Sequence, residues 1–195
     1  RVAIDRYPVT NADYAAFLAA TGYRPAQAHG FLRHWVNGTP PAGQERHPVV
    51  HVDLDDVRAY AVWAGKRLPT EEEWWAAAGG LTGRLYPWGD ALAEGRCNGG
   101  RGGGTTPVDA FPAGAAPSGA EDLCGNVWEW TESERADGRN RHVILKGGSW
   151  FNPLGSMWYL DGGPQPIDWG TKFLLAWPGL DRAATIGFRC VRPLE

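Results

Sequence analysis

Glycine and proline supply 27 and 15 of the 195 residues, and nothing else in the chain limits its fold as strongly. Both break helix interiors, proline by removing a donor and clashing with the preceding turn, glycine by its entropic cost. A mainly helical bundle is therefore excluded. What remains is a loop-rich fold of short elements, and eleven Trp supply the apolar surface to hold it together. So much apolar surface also excludes disorder throughout the chain. The net charge of −3 gives no electrostatic ground for nucleic acid or an anionic membrane as partner. No apolar run approaches the ~18 residues of a membrane-spanning helix, and no signal-peptide pattern opens the chain. Cys97, Cys124 and Cys190 are odd in number and far apart. Neither a disulfide framework nor a zinc site is expected from them, and a cytoplasmic location is the default.

Hydrophobic periodicity places a strand over 2–9 and a helix over 11–20, with Thr10 or Asn11 as cap and Gly22 just past its end. Residues 48–52 read as a short buried strand. Asp53 caps a second helix carrying Val57, Tyr60, Ala61 and Ala64 on one face, ended by Gly65. Thr70 with Glu73 is a capping box for a third helix, ended by Gly79 and Gly80. From Leu81 to Ala120 the chain is Gly/Pro-rich loop. Strands are expected over 125–133, 142–150 and 185–192. Helices early and antiparallel strands late make a single α+β domain.

Six blocks carry more than periodicity. YPVTNADYAAFL, HPVVHVDLDDVRAYAVWAGKRLPTEEEWWAAAGG, YPWGD, GNVWEWTES, LKGGSWFN and GFRCVR occur in that order between residues 4 and 192. Together they resemble the formylglycine-generating enzyme family, also called the sulfatase-modifying-factor domain. The resemblance implies that residues 1–195 form one such domain. It also implies a C-type lectin-like fold, with a twisted antiparallel sheet, flanking helices and long irregular loops. A further strand-rich segment before Arg1 is implied as well. Members differ in function: some oxidise a sulfatase cysteine to formylglycine with copper and oxygen, and some belong to iron-dependent sulfoxide synthases. Others mature siderophore chromophores, and others are variable ligand-binding proteins of diversity-generating retroelements. Fold does not choose among these; the site must.

The copper enzymes of the family hold the metal through two cysteines shortly after the GGSW block, and a thiolate pair suits Cu(I). The matching positions here are Asn152 and Met157, so formylglycine-generating activity is not expected. Some relatives join the GFRC cysteine to the second helix; the matching position is Ala61, which leaves Cys190 as a small buried hydrophobe. Cys124 is expected in the core and Cys97 in an exposed loop. Relatives use positions matching Asp122, Gly125, Val127 and Glu129 for a structural calcium ion, and hard oxygen ligands in a compact loop suit that ion. The competing reading is that Glu129 pairs with a buried arginine such as Arg189 while Asp122 caps a turn. A second calcium loop of some relatives corresponds to 99–104, a run of glycines around Arg101 without a carboxylate, expected to be a mobile surface loop. It is not a phosphate-binding loop, because no Lys-Ser/Thr pair follows. His47 and His51 on one strand would lie about 13 Å apart, too far to share an ion. His29, His34 and His142 show no ligand spacing.

The chain departs most from the family after Trp150. Trp150, Asn152, Met157, Trp158, Tyr159, Asp161, Asp168, Trp169 and Lys172 combine large apolar faces with few polar groups, the composition of a ligand site. The alternative is that the aromatics simply pack the segment onto the sheet. Asp161 and Asp168 are the candidate catalytic carboxylates. The expected function is a metabolite-modifying, oxidative enzyme of a biosynthetic pathway, with an unidentified redox metal. The alternatives are a lectin-like module presenting 151–183 to a small-molecule or protein ligand, and a non-catalytic docking domain.

Overall fold

The computed structural model describes residues 1–100, 103–152, 162–177 and 179–194. Three reciprocal capping boxes open its three helices. Thr10 accepts from the Asp13 N–H at the head of α1 (Asn11–Thr21), and the Asp13 carboxylate accepts in return from the Thr10 N–H. Asp53 and Asp56 do the same for α2 (Leu54–Trp63), and Thr70 and Glu73 for α3 (Glu71–Ala77). Each box satisfies two amide donors that a helix start leaves free. Gly22 closes α1 in the left-handed conformation at φ +65°, as its spacing predicts.

Among the described residues, six strands follow two pairing schemes. β1 (Val2–Ile4) pairs antiparallel with β6 (Val191–Pro193), joining the two ends of the chain. The main sheet contains β2 (Trp128–Ala136), β3 (Arg141–Lys146), β4 (Gly170–Leu174) and β5 (Ile186–Gly187), in the order β4-β3-β2-β5. Its β2–β5 pair is parallel. The sheet is therefore mixed, which corrects the expectation of an antiparallel sheet while leaving the α+β class intact.

The apolar faces of α1 and α2 meet the sheet in an aromatic core. Tyr14 stacks on Tyr60 with ring centres 5.7 Å apart, and Phe188 lies edge-on to Tyr60 at 5.3 Å. Buried Trp130, Val143, Leu145 and Cys190 continue this core. A second cluster, Trp74, Ala78, Ala116, Ala120, Leu123 and Ile167, packs under α3. Among the described residues, no helix is long and apolar enough to cross a membrane.

Five expected strands are altered for local reasons. The first ends at Ile4. Residues 48–52 form no strand, because His51 is left-handed at φ +59° and its N–H turns to the Ala183 carbonyl, 3.0 Å away. β3 stops at Lys146, where Gly147 and Gly148 take φ values of +93° and +81°. The run 185–192 divides into β5 and β6, and β2 starts only at Trp128, after left-handed Gly125 and Asn126. β4 was not expected at all, since it lies in the segment read as a ligand-binding loop.

Candidate functional site

The end of β3 builds the site. A Cβ on Gly148 would sit 2.3 Å from the Gly163 carbonyl oxygen, and one on Gly147 would sit 3.1 Å from that of Leu123. Only glycine allows both the left-handed turn and this closeness of backbones. The turn delivers buried Ser149, whose N–H donates to the Gly163 carbonyl (3.1 Å) and whose Oγ accepts from the Phe151 N–H (3.3 Å). Trp150 is held at both ends: its N–H donates to Asn126 O at 2.9 Å, and its indole donates to Ala184 O at 3.3 Å. The Asn152 side chain is exposed and lies against Gly163.

The start of the glycine run packs against this turn. A Cβ on Gly100, which has φ +90°, would fall 1.9 Å from the Trp150 carbonyl oxygen, and Gly99 faces the ring of Pro164. Gly99 is exposed and Gly100 half-buried, so this part of 99–104 lies at the surface as expected, packed against Pro164 and Trp150. The Asn98 side chain anchors the run by donating to Gly104 O (2.9 Å) and to Asn126 Oδ1 (3.2 Å).

The structure brings together Trp150 and Asn152 but not the whole expected set. Met157, Trp158, Tyr159 and Asp161 lie outside the described residues. Asp168 is exposed and lines a separate cavity beside Glu71, Glu72, Trp75, Arg135 and Lys146. There the Lys146 amine sits 5.6 Å from the centre of the Trp74 ring, and burial lowers its pKa. Sequence gave no sign of this buried amine, because Lys146 belongs to the GGSW block. Trp169 is half-exposed just before β4, and exposed Lys172 lies within β4, paired in register with Ile144.

The loop read as a calcium site is organised by an arginine. Arg189 is fully buried, and its Nε and Nη2 donate to the Glu129 carboxylate at 2.7–3.0 Å. Trp74 Nε1 donates to Glu129 Oε2 at 2.7 Å. Arg189 Nη2 also donates to the carbonyls of Glu121 (2.8 Å) and Asp122 (3.0 Å). Three donor groups thus converge on one carboxylate, two of them from the guanidinium cation. This geometry matches the competing reading of Glu129. Asp122 is buried and left-handed at φ +56°, and accepts from Asn126 Nδ2 at 2.7 Å. Burial pushes its carboxyl up to about 8.

All three thiols are free. Cys190 and Cys124 are buried, as expected. Cys97 is half-buried, and its thiol is a hydrogen-bond partner of Cys124, which lowers the Cys97 pKa and raises that of Cys124. The apposition of the two was invisible in sequence, where they stand 27 residues apart.

Residues 1–194 match the sulfatase-modifying factor enzyme 1-like domain. The chain belongs to that family. An inactive Cα-formylglycine-generating enzyme 2 from Bos taurus is 36% identical over 198 residues, covering 77% of this chain and 65% of the relative. A hercynine oxygenase from Mycolicibacterium thermoresistibile is 35% identical over 199 residues, covering 75% of this chain and 43% of that protein. The chain thus spans less than two thirds of the length of either relative. Among solved structures, variable protein 1 of Treponema denticola superposes with a TM-score of 0.67 at 21% identity, over 98% of this chain and 84% of that one. The fold is accordingly C-type lectin-like, as the sequence blocks imply for this formylglycine-generating-enzyme-like domain.

Proposed function

We propose that this domain makes no formylglycine and instead modifies a small metabolite by oxidation. The observation that carries this is Asn152, exposed at the rim of the site where the family's copper enzymes place a thiolate. An amide does not hold Cu(I) as a thiolate does. The name of the inactive relative from Bos taurus supports loss of the family's cysteine chemistry, and that of the hercynine oxygenase supports oxidation of a small molecule. In this reading Trp150 and Phe151 supply apolar faces for the ligand, and the Asn152 amide orients it. The glycine contacts at positions 100, 148 and 163 fix the backbone beneath them.

A second reading is favoured by a different observation. Trp169, Leu174, Trp177 and Leu180 are all large, apolar and 44–66% exposed. Exposed side chains of this kind within one segment suit a binding module presenting 151–183. One experiment separates the two. The protein is incubated aerobically with a metabolite extract, and small molecules are compared by mass spectrometry with those from heat-denatured protein. A compound that gains oxygen or loses two hydrogens supports the oxidative enzyme. A compound retained on the protein unchanged supports the binding module. Conversion of cysteine to formylglycine in a sulfatase-type peptide supplied with copper overturns both.

A further inference from the structure

Two histidines that sequence spacing keeps apart meet in the fold. His34 lies in the turn of 29–34 and His51 follows the extended run after Pro48. The Leu32 N–H donates to the His51 carbonyl at 3.0 Å, tying the two segments together. Their imidazole rings lie 5.2 Å apart between centres, tilted by 43°. His51 is 93% buried by its 7% exposure. His34 Nδ1 and Nε2 and His51 Nδ1 are all shielded from solvent without a hydrogen-bond partner. Leaving buried polar nitrogens unpaired is costly, so such atoms ask for an occupant.

We propose that His34 and His51 form a two-histidine site for a tetrahedral divalent cation of the zinc class. The ring separation leaves room for this geometry. With a metal–nitrogen distance of about 2.0–2.1 Å, each ring centre stands roughly 3.2 Å from the ion, so tetrahedral angles put the centres about 5.2 Å apart. Linear ligation would put them about 6.4 Å apart, and adjacent corners of a square about 4.5 Å. The observed 5.2 Å fits the tetrahedral case. Imidazole is also a ligand that late first-row divalent ions favour. Both rings are held neutral, with pKa values lowered to about 4, mainly by burial, so no proton has to leave before a metal binds.

Among the described residues no group of three or more His, Cys, Asp or Glu side chains is placed to hold a metal ion, so the two imidazoles are the protein ligands. Two positions on the metal are therefore open to water or to an external ligand. The site also borders the functional face: His51 N–H donates to Ala183 O, and the Trp150 indole donates to the next carbonyl, Ala184 O.

The test uses the full chain stripped of metal by chelator and titrated with Zn²⁺ alone, then with Co²⁺ as a spectroscopic probe. One Zn²⁺ per chain is expected, together with the intense visible bands of four-coordinate Co²⁺. His34→Gln and His51→Asn are each expected to weaken binding at least about tenfold. Asn suits the left-handed backbone at 51, and circular dichroism checks that each variant is folded. His29→Gln, His47→Gln and His142→Gln are expected to bind as the parent does. Absence of Zn²⁺ binding, binding that survives in both folded variants, or a six-coordinate Co²⁺ spectrum overturns the proposal.

Discussion

Single positions explain why the site has a fixed shape. Gly148 and Gly22 have similar left-handed φ values, +81° and +65°, but only Gly148 has backbone where a Cβ would go. Gly22→Ala therefore meets the backbone strain alone, about 1 kcal/mol. Gly148→Ala adds a clash with Gly163 O, and its expected cost is at least about 3 kcal/mol. Urea unfolding of the two variants measures the difference, and equal losses would refute the steric argument. Thiol chemistry gives a second prediction. Cys97 is half-buried with a lowered pKa, whereas burial lifts Cys190 to about 12 and Cys124 is raised by its bond to Cys97 and by burial. A maleimide reagent is expected to label Cys97 at least about tenfold faster than either other thiol, read by peptide mass spectrometry. Labelling of Cys190 first would show the opposite order of exposure. Sequence placed Cys97 in a loop and the other two in the core. It missed the meetings of Cys97 with Cys124 and of His34 with His51, because long-range apposition leaves no trace in spacing.

At the scale of elements, helix starts were legible and strand limits were not. A capping box is local: Thr10 with Asp13, Asp53 with Asp56 and Thr70 with Glu73 each lie within four residues. β4 depends on pairing with β3 across the chain, and its sequence reads as loop. Likewise, β5 is two residues long and gains strand character only from its parallel partner β2. The connection that follows β4 is tied down by one side chain. Arg182 is buried, with Nη2 2.7 Å from Asp53 Oδ2 and Nε 2.8 Å from Asp56 Oδ2. Its Nη1 donates to the carbonyls of Gln27 (2.6 Å) and His29 (2.7 Å). The α2 capping box is thus also the anchor of residues 179–184. Arg182→Met is expected to cost about 3–5 kcal/mol, because it strands two buried carboxylates. Chemical denaturation measures this. A loss under about 1 kcal/mol would mean that the loop is held by its apolar contacts instead.

For the molecule as a whole, Arg189 is the joint between distant segments. Besides Glu129, Glu121 and Asp122, its Nη1 donates to the carbonyls of Asp5 and Arg6, both at 3.1 Å. One guanidinium so unites the residues after β1, the 121–122 turn and β2. The family blocks made this neighbourhood legible as a set of residues, but whether a metal ion or an arginine organises it turned on which charge reaches Glu129. Two measurements follow from the arginine. Added Ca²⁺ is expected to leave the melting temperature unchanged, since an ion that bound only the folded state would raise it by mass action. The second is the pH response of Asp122. Its folded pKa, raised to about 8 by burial, exceeds the unfolded value of about 3.9. Between those values Asp122 holds a proton in the folded chain and not in the unfolded one, so its own contribution to stability falls as pH rises from about 4 to about 8. Asn at 122 keeps an acceptor for Asn126 and tolerates φ +56° but does not ionise. Asp122→Asn is therefore expected to gain at least about 1 kcal/mol on wild type between pH 5 and pH 8. A calcium ion bound to the Asp122 carboxylate would reverse both results: the melting temperature would climb with Ca²⁺, and Asp122→Asn would abolish the climb.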